Sequence, residues 1–372
     1  MKVPFIDLKR FEDGFVEAVS AKLSSMVTEA QFIGGLEVSR LEGRLQYALG
    51  VEHAVTCANG TDAIQLALRA LGVGRGDVVL TPNVTFWATF EAVVNVGADA
   101  VTMDVDALDG GVSLSAMAEA IDAIKPKAAV IAHLYGWGTS RLAEIRALCR
   151  DRSVLLVEDG AQCYGTSFNE RSIYEGALIS TTSFYPAKVL GGAGDGGAVF
   201  TNDHDLAERV RRLGNHGRSA HYGHSDVGWN SRLDAPQAAY LNICLDHVGA
   251  RIESRRKSAL FYQQILPELG IDVMRPPEAF GENGYCNVCM VADPSKRTQI
   301  MATLKSEGIG FGVIYPGVMS AQAGATGFHK GHFGSDAGDK FCSSVLNLPL
   351  FPYMREAELN RVVEVIGQAV GR

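Results

Sequence analysis

The 372-residue chain is 47% hydrophobic and 20% charged, a composition typical of a globular protein with a large core. Its formal net charge of −8 argues against a non-specific nucleic-acid surface, because such a surface has to be basic to neutralise phosphates. No apolar run approaches the roughly 18 residues of a membrane-spanning helix, and no signal peptide is evident. With its seven scattered cysteines as reduced thiols, we expect a cytoplasmic protein without membrane association.

Strand and helix patterns alternate along the first two thirds of the chain. Short apolar runs predict strands at 54–57, 77–80, 100–103, 128–132, 153–157 and 178–183. Apolar residues at helical spacing predict helices at 63–71, 86–96, 114–124 and 141–150. This rhythm predicts a mostly parallel sheet with helices on both faces. Ligands of such sheets bind beyond the carboxyl ends of the strands, where Asn59, Pro82, His133 and Asp159 follow their runs.

The pattern changes in the C-terminal third. A long helical stretch covers 235–269, broken only weakly by Gly249. Beyond it we predict strands at 286–291, 310–314 and 345–348, and helices at 297–307 and 356–370. This change predicts a large domain with an N-terminal arm at residues 1–249 and a smaller C-terminal α/β domain at residues 250–372.

Two residues at the ends of predicted strands point to a cofactor. Asp159 closely follows the apolar run at 153–157. Lys188 follows the run at 178–183, after Phe184-Tyr185-Pro186-Ala187, and precedes a glycine-rich loop. Pyridoxal phosphate (PLP) chemistry needs a lysine that forms a Schiff base and an acid that keeps the pyridine nitrogen protonated. The pair therefore favours PLP. Taken alone, Lys188 could be a surface lysine, and Asp159 a helix cap or metal ligand.

Other residues could complete a PLP site. Asn59-Gly60-Thr61-Asp62 lies between a strand and a helix, where free N–H groups bind phosphate, although helix capping explains the same motif. Ser183 could add a hydroxyl to that phosphate, and Gln162 could reach the phenolic oxygen of the ring. Either Phe86 or Trp87 could stack on the pyridine face, while core packing is the better interpretation for the other.

Three further motifs are weaker candidates. Cys286-Asn287-Val288-Cys289 is a lone C-x-x-C pair, which does not favour a zinc or redox site. His216, His221 and His224 lie in a polar loop that is more typical of a surface or a subunit interface than of a metal site. The glycine-rich segment 191–197 lacks the phosphate-loop pattern. We therefore expect no bound metal.

Together the motifs resemble those of the DegT/DnrJ/StrS-type aminotransferases, PLP enzymes of fold type I that mostly aminate nucleotide-linked keto-sugars. The resemblance runs from Val3–Leu8 to Leu346–Pro352, essentially the whole chain. Its further markers are Asn59–Ala63, Thr85–Thr89, Glu158–Gln162, Ser183–Lys188, Gly194–Ala198, Gly228–Asp234 and Gln237–Ala239. The fold that it implies is a large domain with a mostly parallel central sheet between helices, plus a smaller C-terminal α/β domain.

The resemblance implies a role for each matching position. Lys188 and Asp159 would be the catalytic pair. The cofactor-binding residues would be Gly60, Thr61, Asp62, Phe86, Asp159, Gln162, Ser183, Lys188 and Asn230. Phe86 would stack on the ring and leave Trp87 a structural role. Asn230 would reach the phosphate of the neighbouring subunit's cofactor, which implies a homodimer with shared active sites.

The resemblance also implies a reaction. A branch of the family that dehydrates sugars replaces the lysine by histidine, so Lys188 favours transamination. The amino group would pass from an amino acid, L-glutamate, to a nucleotide-linked keto-sugar, in the biosynthesis of an amino or dideoxy sugar. Alternatives are amination of a free cyclitol ketone, PLP-dependent sugar dehydration, and a non-catalytic PLP-binding sensor.

Two substrate contacts are expected in segment 315–322. The family often reads Tyr-Pro-x-Pro-Leu-His-x-Gln there, and this chain reads Tyr-Pro-Gly-Val-Met-Ser-Ala-Gln. Tyr315 matches the family, whereas Ser320 stands where a histidine is common. The departure predicts an unusual keto-sugar or a different loop geometry at that position.

Overall fold

A mixed eight-stranded sheet forms the centre of the protein in the computed structural model, which describes all 372 residues. The strands of the protein are β1 (His53–Cys57), β2 (Val78–Pro82), β3 (Asp99–Met103), β4 (Ala128–Ala132), β5 (Leu155–Asp159), β6 (Ser167–Phe168), β7 (Arg171–Ser172), β8 (Ile179–Ser183), β9 (Gly197–Thr201), β10 (Asp272–Val273), β11 (Phe280–Gly281), β12 (Cys289–Met290), β13 (His329–Phe333) and β14 (Val345–Leu346). The central sheet has the order β1-β9-β8-β5-β4-β2-β3-β13, and two three-stranded sheets accompany it.

Eleven α-helices surround these sheets. They are α1 (Phe15–Thr28), α2 (Leu36–Leu49), α3 (Gly60–Ala70), α4 (Trp87–Asn95), α5 (Leu114–Ile124), α6 (Leu142–Asp151), α7 (His204–Gly214), α8 (Ala235–Ile265), α9 (Pro294–Ser306), α10 (Ala337–Ser344) and α11 (Glu356–Ala369). Buried aliphatic residues on both faces of the sheet form two core clusters, which confirms the predicted arrangement of helices on both sides.

Strand direction decides where the ends of the strands meet. β9 pairs antiparallel with both β1 and β8, whereas β8, β5, β4, β2, β3 and β13 pair parallel with one another. Because two antiparallel steps restore the direction, β1 also runs with β8. Seven of the eight strands therefore end at one edge of the sheet, and the predicted mostly parallel sheet is confirmed.

The six strands and four helices predicted in the first two thirds are present with bounds shifted by a few residues. The pattern did not identify α1, α2, β9 or α7. In the C-terminal third the predicted strand at 310–314 is wrong. Its backbone amides donate hydrogen bonds to two separate parts of the chain and not to one neighbouring strand. The Gly310 amide donates to the Val3 carbonyl, and the Ile314 amide donates to the Asn347 side chain. The predicted strands at 286–291 and 345–348 shorten to β12 and β14.

The long helix α8 carries the chain from the central sheet to the C-terminal third. It continues through Gly249, so the predicted boundary between residues 249 and 250 falls inside a helix. A third core cluster consists of residues from 259 onward together with Val3, which supports a separate C-terminal unit. Strand β13 nevertheless joins the edge of the central sheet. The division into two domains therefore stays a proposal. No helix is both long and apolar enough to cross a membrane.

An ion-pair cluster ties the N-terminal arm to the C-terminal helix. Glu358 on α11 is buried and accepts hydrogen bonds from Arg10 (2.6 Å) and from the Arg355 side chain (2.8 Å). Burial alone would raise the pKa of Glu358, but these hydrogen bonds outweigh it and lower the pKa to about 2. In the folded protein the Glu358 carboxylate therefore stays ionised at pH values far below its usual titration range.

We predict that Glu358→Gln destabilises the protein at pH 7 by about 2 kcal/mol, because the variant leaves Arg10 without its buried anion. A carboxyl with a lowered folded pKa contributes its stability above the unfolded value of 4.5 and loses it as the pH falls toward about 2. The melting temperatures of variant and wild type should therefore converge as the pH falls from about 4.5 toward about 2. Glu364→Gln, on the exposed side of the same helix, is the control. A pH-independent difference would contradict the ion-pair account.

Candidate active site

A cavity of about 740 Å³ lies at the edge of the sheet where seven strands end. Residues at or just after the ends of these strands line it. They are Asn59, Gly60 and Thr61 after β1, Thr85 and Phe86 after β2, His133 after β4, Asp159 on β5 and Ser183 on β8. Lys188, Gln162, Tyr285 and Tyr315 complete the wall from other segments. The topology thus brings together most of the residues that the sequence motifs identified.

The carboxylate of Asp159 is held in place at the end of β5. It is 7% exposed, and its two oxygens accept hydrogen bonds from the Ala161 amide (3.0 Å) and the Thr89 hydroxyl (2.9 Å). The Thr89 hydroxyl also pairs with that of Thr85 at 2.8 Å. These donors fix the orientation of the Asp159 carboxyl group at the wall of the cavity.

The neighbouring acid, Glu158, faces the other side of the strand, since successive side chains of a strand alternate. It is fully buried and accepts hydrogen bonds from Arg146 (2.7 and 2.9 Å) and from Nε2 of His133 (2.9 Å) when that nitrogen carries the proton. Burial acts to raise the pKa of Glu158, and these partners more than compensate, so that the pKa is lowered. Glu158 is therefore an internal anchor, and Asp159 is the carboxylate available to a ligand.

The first turn of α3 forms a concave surface lined by backbone amides. Asn59 caps this helix, its Oδ1 accepting from the Asp62 amide at 2.8 Å. The amides of Gly60 and Thr61 belong to the first turn, where no intrahelical acceptor exists. A Cβ on Gly60 would lie 2.7 Å from the Cβ of Ser183. Glycine at this position lets the helix approach β8 closely, which brings the free amides of its first turn next to the Ser183 hydroxyl, a suitable setting for an anion.

Lys188 projects into the same cavity as Asp159. Its Nζ donates to the Tyr285 hydroxyl at 3.4 Å and lies 5.1 Å from the centroid of that ring. No carboxylate pairs with Lys188, although four other lysines of the chain form ion pairs. The amine is therefore not committed to a salt bridge and remains accessible from the cavity.

The side-chain amide of Gln162 bridges two tyrosine segments. Its Oε1 accepts from the Tyr135 backbone amide and its Nε2 donates to the Tyr315 hydroxyl, both at 2.6 Å. Burial raises the pKa of Tyr315 well above its usual value, which keeps the phenol protonated. The Gln162 amide has a second N–H, which can still serve a ligand in the cavity.

The two aromatic residues at the start of α4 have different surroundings. Phe86 is 59% exposed, lines the cavity, and has its ring centroid 6.4 Å from that of Tyr315. Trp87 instead packs against Phe90, with centroids 5.1 Å apart, and against Gly324. The ring that can contact a ligand is therefore Phe86, as the resemblance implied.

Three of the predicted site residues do not present a free group to the cavity of their own chain. Asp62 lines the cavity, but its amide is used by Asn59 and its carboxylate accepts from Trp229 at 3.4 Å. Asn230 is exposed and lies outside the cavity of its own chain, and Ser320 also lies outside it. The Ser320 amide donates to the Asn83 side chain at 2.9 Å. The ligand roles of all three stay predictions.

Sequence reasoning missed Thr89 as the partner of the acid, Thr85 as the partner of Thr89, and Tyr285 as the partner of the lysine. The two threonines are spaced four residues apart at the start of a helix that follows a strand, and this spacing could have identified them. Tyr285 lies in irregular backbone between β11 and β12, where no periodicity exists to identify it. Of the weaker motifs, Cys286 and Cys289 are both buried free thiols, and His216, His221 and His224 lie in the loop after α7.

These residues fit PLP. An oriented carboxylate for the pyridine nitrogen, a helix N-terminus for the phosphate, a lysine without a counter-ion and an exposed phenyl ring converge on one cavity. The helix can approach Ser183 this closely only because Gly60 has no Cβ. The assignment of individual residues to parts of the cofactor remains a prediction from the resemblance.

The sequence is similar to those of known proteins. Residues 15–367 match the model of the DegT/DnrJ/EryC1/StrS aminotransferase family. The chain is 35% identical to UDP-2-acetamido-2-deoxy-3-oxo-D-glucuronate aminotransferase of Pseudomonas aeruginosa, over 96% of this chain and 97% of that protein. It is 34% identical to UDP-N-acetyl-3-dehydro-alpha-D-glucosamine 3-aminotransferase of Acidithiobacillus ferrooxidans, over 98% of this chain and 97% of that protein.

The fold is shared as well. The structure of NtdA from Bacillus subtilis with bound cofactor PMP matches with a TM-score of 0.91 at 26% identity, covering 100% of this chain and 86% of that one. PMP is the amine form of PLP. These similarities confirm the predicted fold class and the predicted cofactor.

We predict that Gly60→Ala weakens PLP binding by roughly ten- to a hundredfold, since forcing a methyl group into a filled space costs about 1–3 kcal/mol. The added Cβ would overlap Ser183 and push α3 away from β8. The dissociation constant for PLP can be measured by absorbance titration of the cofactor-free protein. Gly43→Ala, a helical glycine with no atom within 4 Å of the added Cβ, should bind PLP normally. Wild-type affinity in Gly60→Ala would show that the phosphate binds elsewhere.

Proposed function

Because the chain belongs to the DegT/DnrJ/EryC1/StrS aminotransferase family and is a PLP-dependent transaminase, we propose that it transfers an amino group from L-glutamate to a nucleotide-linked keto-sugar. The observation that carries the proposal is the shared cavity of Lys188 and Asp159. The two groups that the PLP reaction needs, a reactive amine and a fixed acid, therefore line the same cavity.

Lys188 is proposed to hold the cofactor through Nζ and to move the proton at the reacting carbon. PLP supplies an electron sink that stabilises negative charge on the carbon next to the nitrogen. For this purpose Nζ has to alternate between accepting and donating a proton. The absence of a carboxylate partner supports this role, because a permanent ion pair would keep the amine charged.

Asp159 is proposed to keep the pyridine nitrogen protonated. Its carboxylate is a hydrogen-bond acceptor whose orientation is fixed by Thr89 and the Ala161 amide before any ligand enters. A fixed acceptor needs no reorganisation when charge develops, which is where electrostatic catalysis gains most. The amides of Gly60 and Thr61 with the Ser183 hydroxyl would bind the phosphate, and Phe86 would lie against the ring.

The keto-sugar proposal draws on the two relatives above. Both are named as aminotransferases of UDP-linked 3-oxo or 3-dehydro sugars. Their identity of about a third over almost the full length of both chains supports a substrate of the same class, a nucleotide-linked sugar with a ketone at C3. The cavity of about 740 Å³ has room for a sugar beside the cofactor. The Ser320 difference would act on the sugar and not on the transamination chemistry.

We further propose a homodimer in which Asn230 of each chain completes the site of the other. Four carboxylates (Asp62, Glu91, Asp159 and Asp195) and a single lysine line the cavity, which is a poor environment for the diphosphate of a nucleotide sugar. Additional polar and cationic groups from a second chain would correct this imbalance.

Exposed apolar side chains support the same dimer. They lie on and between α1 and α2 and include Val16, Val27, Ile33, Leu36 and Tyr47. Leu36 is 79% exposed and Tyr47 is 93% exposed. Several large apolar side chains this exposed on two neighbouring helices are a feature of surfaces that bind another protein, and a second copy of the chain is the occupant that we propose.

We predict that L-glutamate alone converts the cofactor of the purified protein to its amine form, and that a nucleotide-linked 3-keto-sugar converts it back. Both half-reactions can be followed by absorbance. The nucleotide-linked ketone should react with a kcat/KM at least about tenfold above that of a free cyclitol ketone, because the nucleotide adds binding contacts.

Matched variants test the chemistry behind that prediction. Lys188→Ala should abolish both half-reactions, whereas Lys257→Ala, at a lysine whose side chain is 75% exposed, should leave them unchanged. Turnover by Lys188→Ala would refute the assigned lysine. A wild-type protein that binds PLP but reacts with no amino acid would instead be a sensor, and formation of a deoxy product without any donor would indicate a dehydratase.

We predict that inactive subunits complement each other across the dimer. Subunit exchange between Lys188→Ala and an inactive Asn230→Ala protein should restore about a quarter of the sites, since half of the dimers are mixed and each holds one intact site. Exchange between Lys188→Ala and Asp159→Asn should restore none, because both residues line the cavity of the same chain. Failure of the first mixture, with dimer exchange verified by a mass tag, would contradict a shared site.

A further inference from the structure

The hydroxyl of Tyr285 has no part in the roles assigned so far, although it is the side-chain hydrogen-bond partner of the Lys188 amine. The two groups lie 3.4 Å apart inside the cavity, and the amine also lies 5.1 Å from the centroid of the tyrosine ring. Tyr285 comes from the segment between β11 and β12, whereas Lys188 follows β8. The contact therefore joins two parts of the chain that only the fold brings together.

We propose that Tyr285 is the positioning residue of Lys188, holding the amine in the cavity whenever it is not bonded to the cofactor. A phenol is suited to this because it accepts a hydrogen bond from an ammonium and donates one to a neutral amine. The face of the ring additionally attracts the charged form. A carboxylate would hold only the ammonium, so the lack of an ion pair at Lys188 fits a neutral partner that serves both states.

The position of Tyr285 is fixed by hydrogen bonds of the neighbouring residue Asn283. Its backbone amide donates to Oδ1 of Asn283 at 2.9 Å, and Asn283 is fully buried. Nδ2 of Asn283 donates to the carbonyls of Gln162 (2.8 Å) and Tyr164 (2.9 Å), which lie in the segment directly after Asp159. One buried amide thus links the partner of the lysine to the segment that carries the acid.

Glycine is required at two points of this support. A Cβ on Gly136 would lie 2.2 Å from Oδ1 of Asn283, so a side chain there would displace the buried amide. Gly284, next to Tyr285, has a φ of +66°, which favours glycine, and its Cβ position lies 2.6 Å from the Cβ of Arg255. Such close packing leaves the Tyr285 backbone few alternatives, as expected for a residue that orients a reactive group.

The inference rests on the role of Lys188 in the proposed function but not on the identity of the donor or the sugar. The test is the rate at which the full-length, cofactor-free protein attaches added PLP. In that step Nζ forms a C=N bond with the aldehyde carbon and water leaves. The attachment rate can be followed by stopped-flow absorbance over a range of PLP concentrations. The limiting rate reports the amine, and the half-saturating concentration reports the initial binding of PLP.

We expect Tyr285→Phe to lower the limiting rate by about 10- to 100-fold, because displacing a reacting group by about 1 Å can cost on the order of 100-fold in rate. The half-saturating concentration, the final stoichiometry and the melting temperature should stay unchanged, because the ring and its packing are retained. Tyr262→Phe, at a buried tyrosine of the C-terminal core whose hydroxyl has no hydrogen-bond partner, is the matched control and should behave as wild type.

Two results would overturn the inference. A wild-type limiting rate in Tyr285→Phe would show that the hydroxyl does not hold the amine. A lower stoichiometry or melting temperature would show that the hydroxyl serves the stability of the cavity instead. Neither result depends on glutamate or on any keto-sugar, so a failure here is distinguishable from a failure of the proposed reaction.

Discussion

The common direction of seven strands is the constraint on which the site depends. Because β1, β8, β5, β4 and β2 all end at one edge, the helix N-terminus after β1, the hydroxyl on β8, the acid on β5 and the aromatic ring after β2 meet around one cavity. Strand β9 alone runs the other way, and it fills the gap between β1 and β8 without contributing a carboxyl end. The remaining wall comes from segments that the sheet does not order.

Two adjacent acids on β5 have different environments, one in the interior and one at the cavity. Strand alternation sends Glu158 inward, where Arg146 and His133 satisfy it, and sends Asp159 to the cavity. A buried ion pair is costly to desolvate, and Glu158 offsets that cost with three hydrogen bonds, two from Arg146 and one from His133. Asp159 is held by fewer, neutral donors, and it keeps a face for the ligand. The same dipeptide therefore supplies an internal anchor and a functional group.

The side of the cavity away from the sheet depends on the C-terminal third. Tyr285 and Tyr315 reach the cavity from that part of the chain, and Asn283 and Gln162 connect them to the segment after Asp159. The helix α8 and the arm bonded to Glu358 hold the two parts together. In the transaminase that we propose, the rigid sheet edge would fix the cofactor, and the C-terminal segments together with a second chain would shape the space for the sugar.

The sequence by itself determined six strands and four helices in the first two thirds of the fold, but not α1, α2, β9 or α7, and it indicated the chemistry of the cofactor. Short apolar runs and helical periodicity are local signals, and Asp159, Lys188 and Gly60 each lie directly beside such an element, so their position at the ligand edge followed from strand direction alone. The resemblance added the family and the choice of Phe86 over Trp87. Segment 310–314 was predicted wrongly because this part of the chain makes only isolated bridges, from Ile309 to Val3 and from Gly312 to Asn347, and an apolar run does not reveal whether a continuous ladder forms. Likewise, only the tertiary structure decided that Tyr285 meets Lys188, that Thr89 holds Asp159, and that Asn230 and Ser320 lie outside the cavity of their own chain. These are contacts between side chains on different elements, and no periodicity along the chain encodes them.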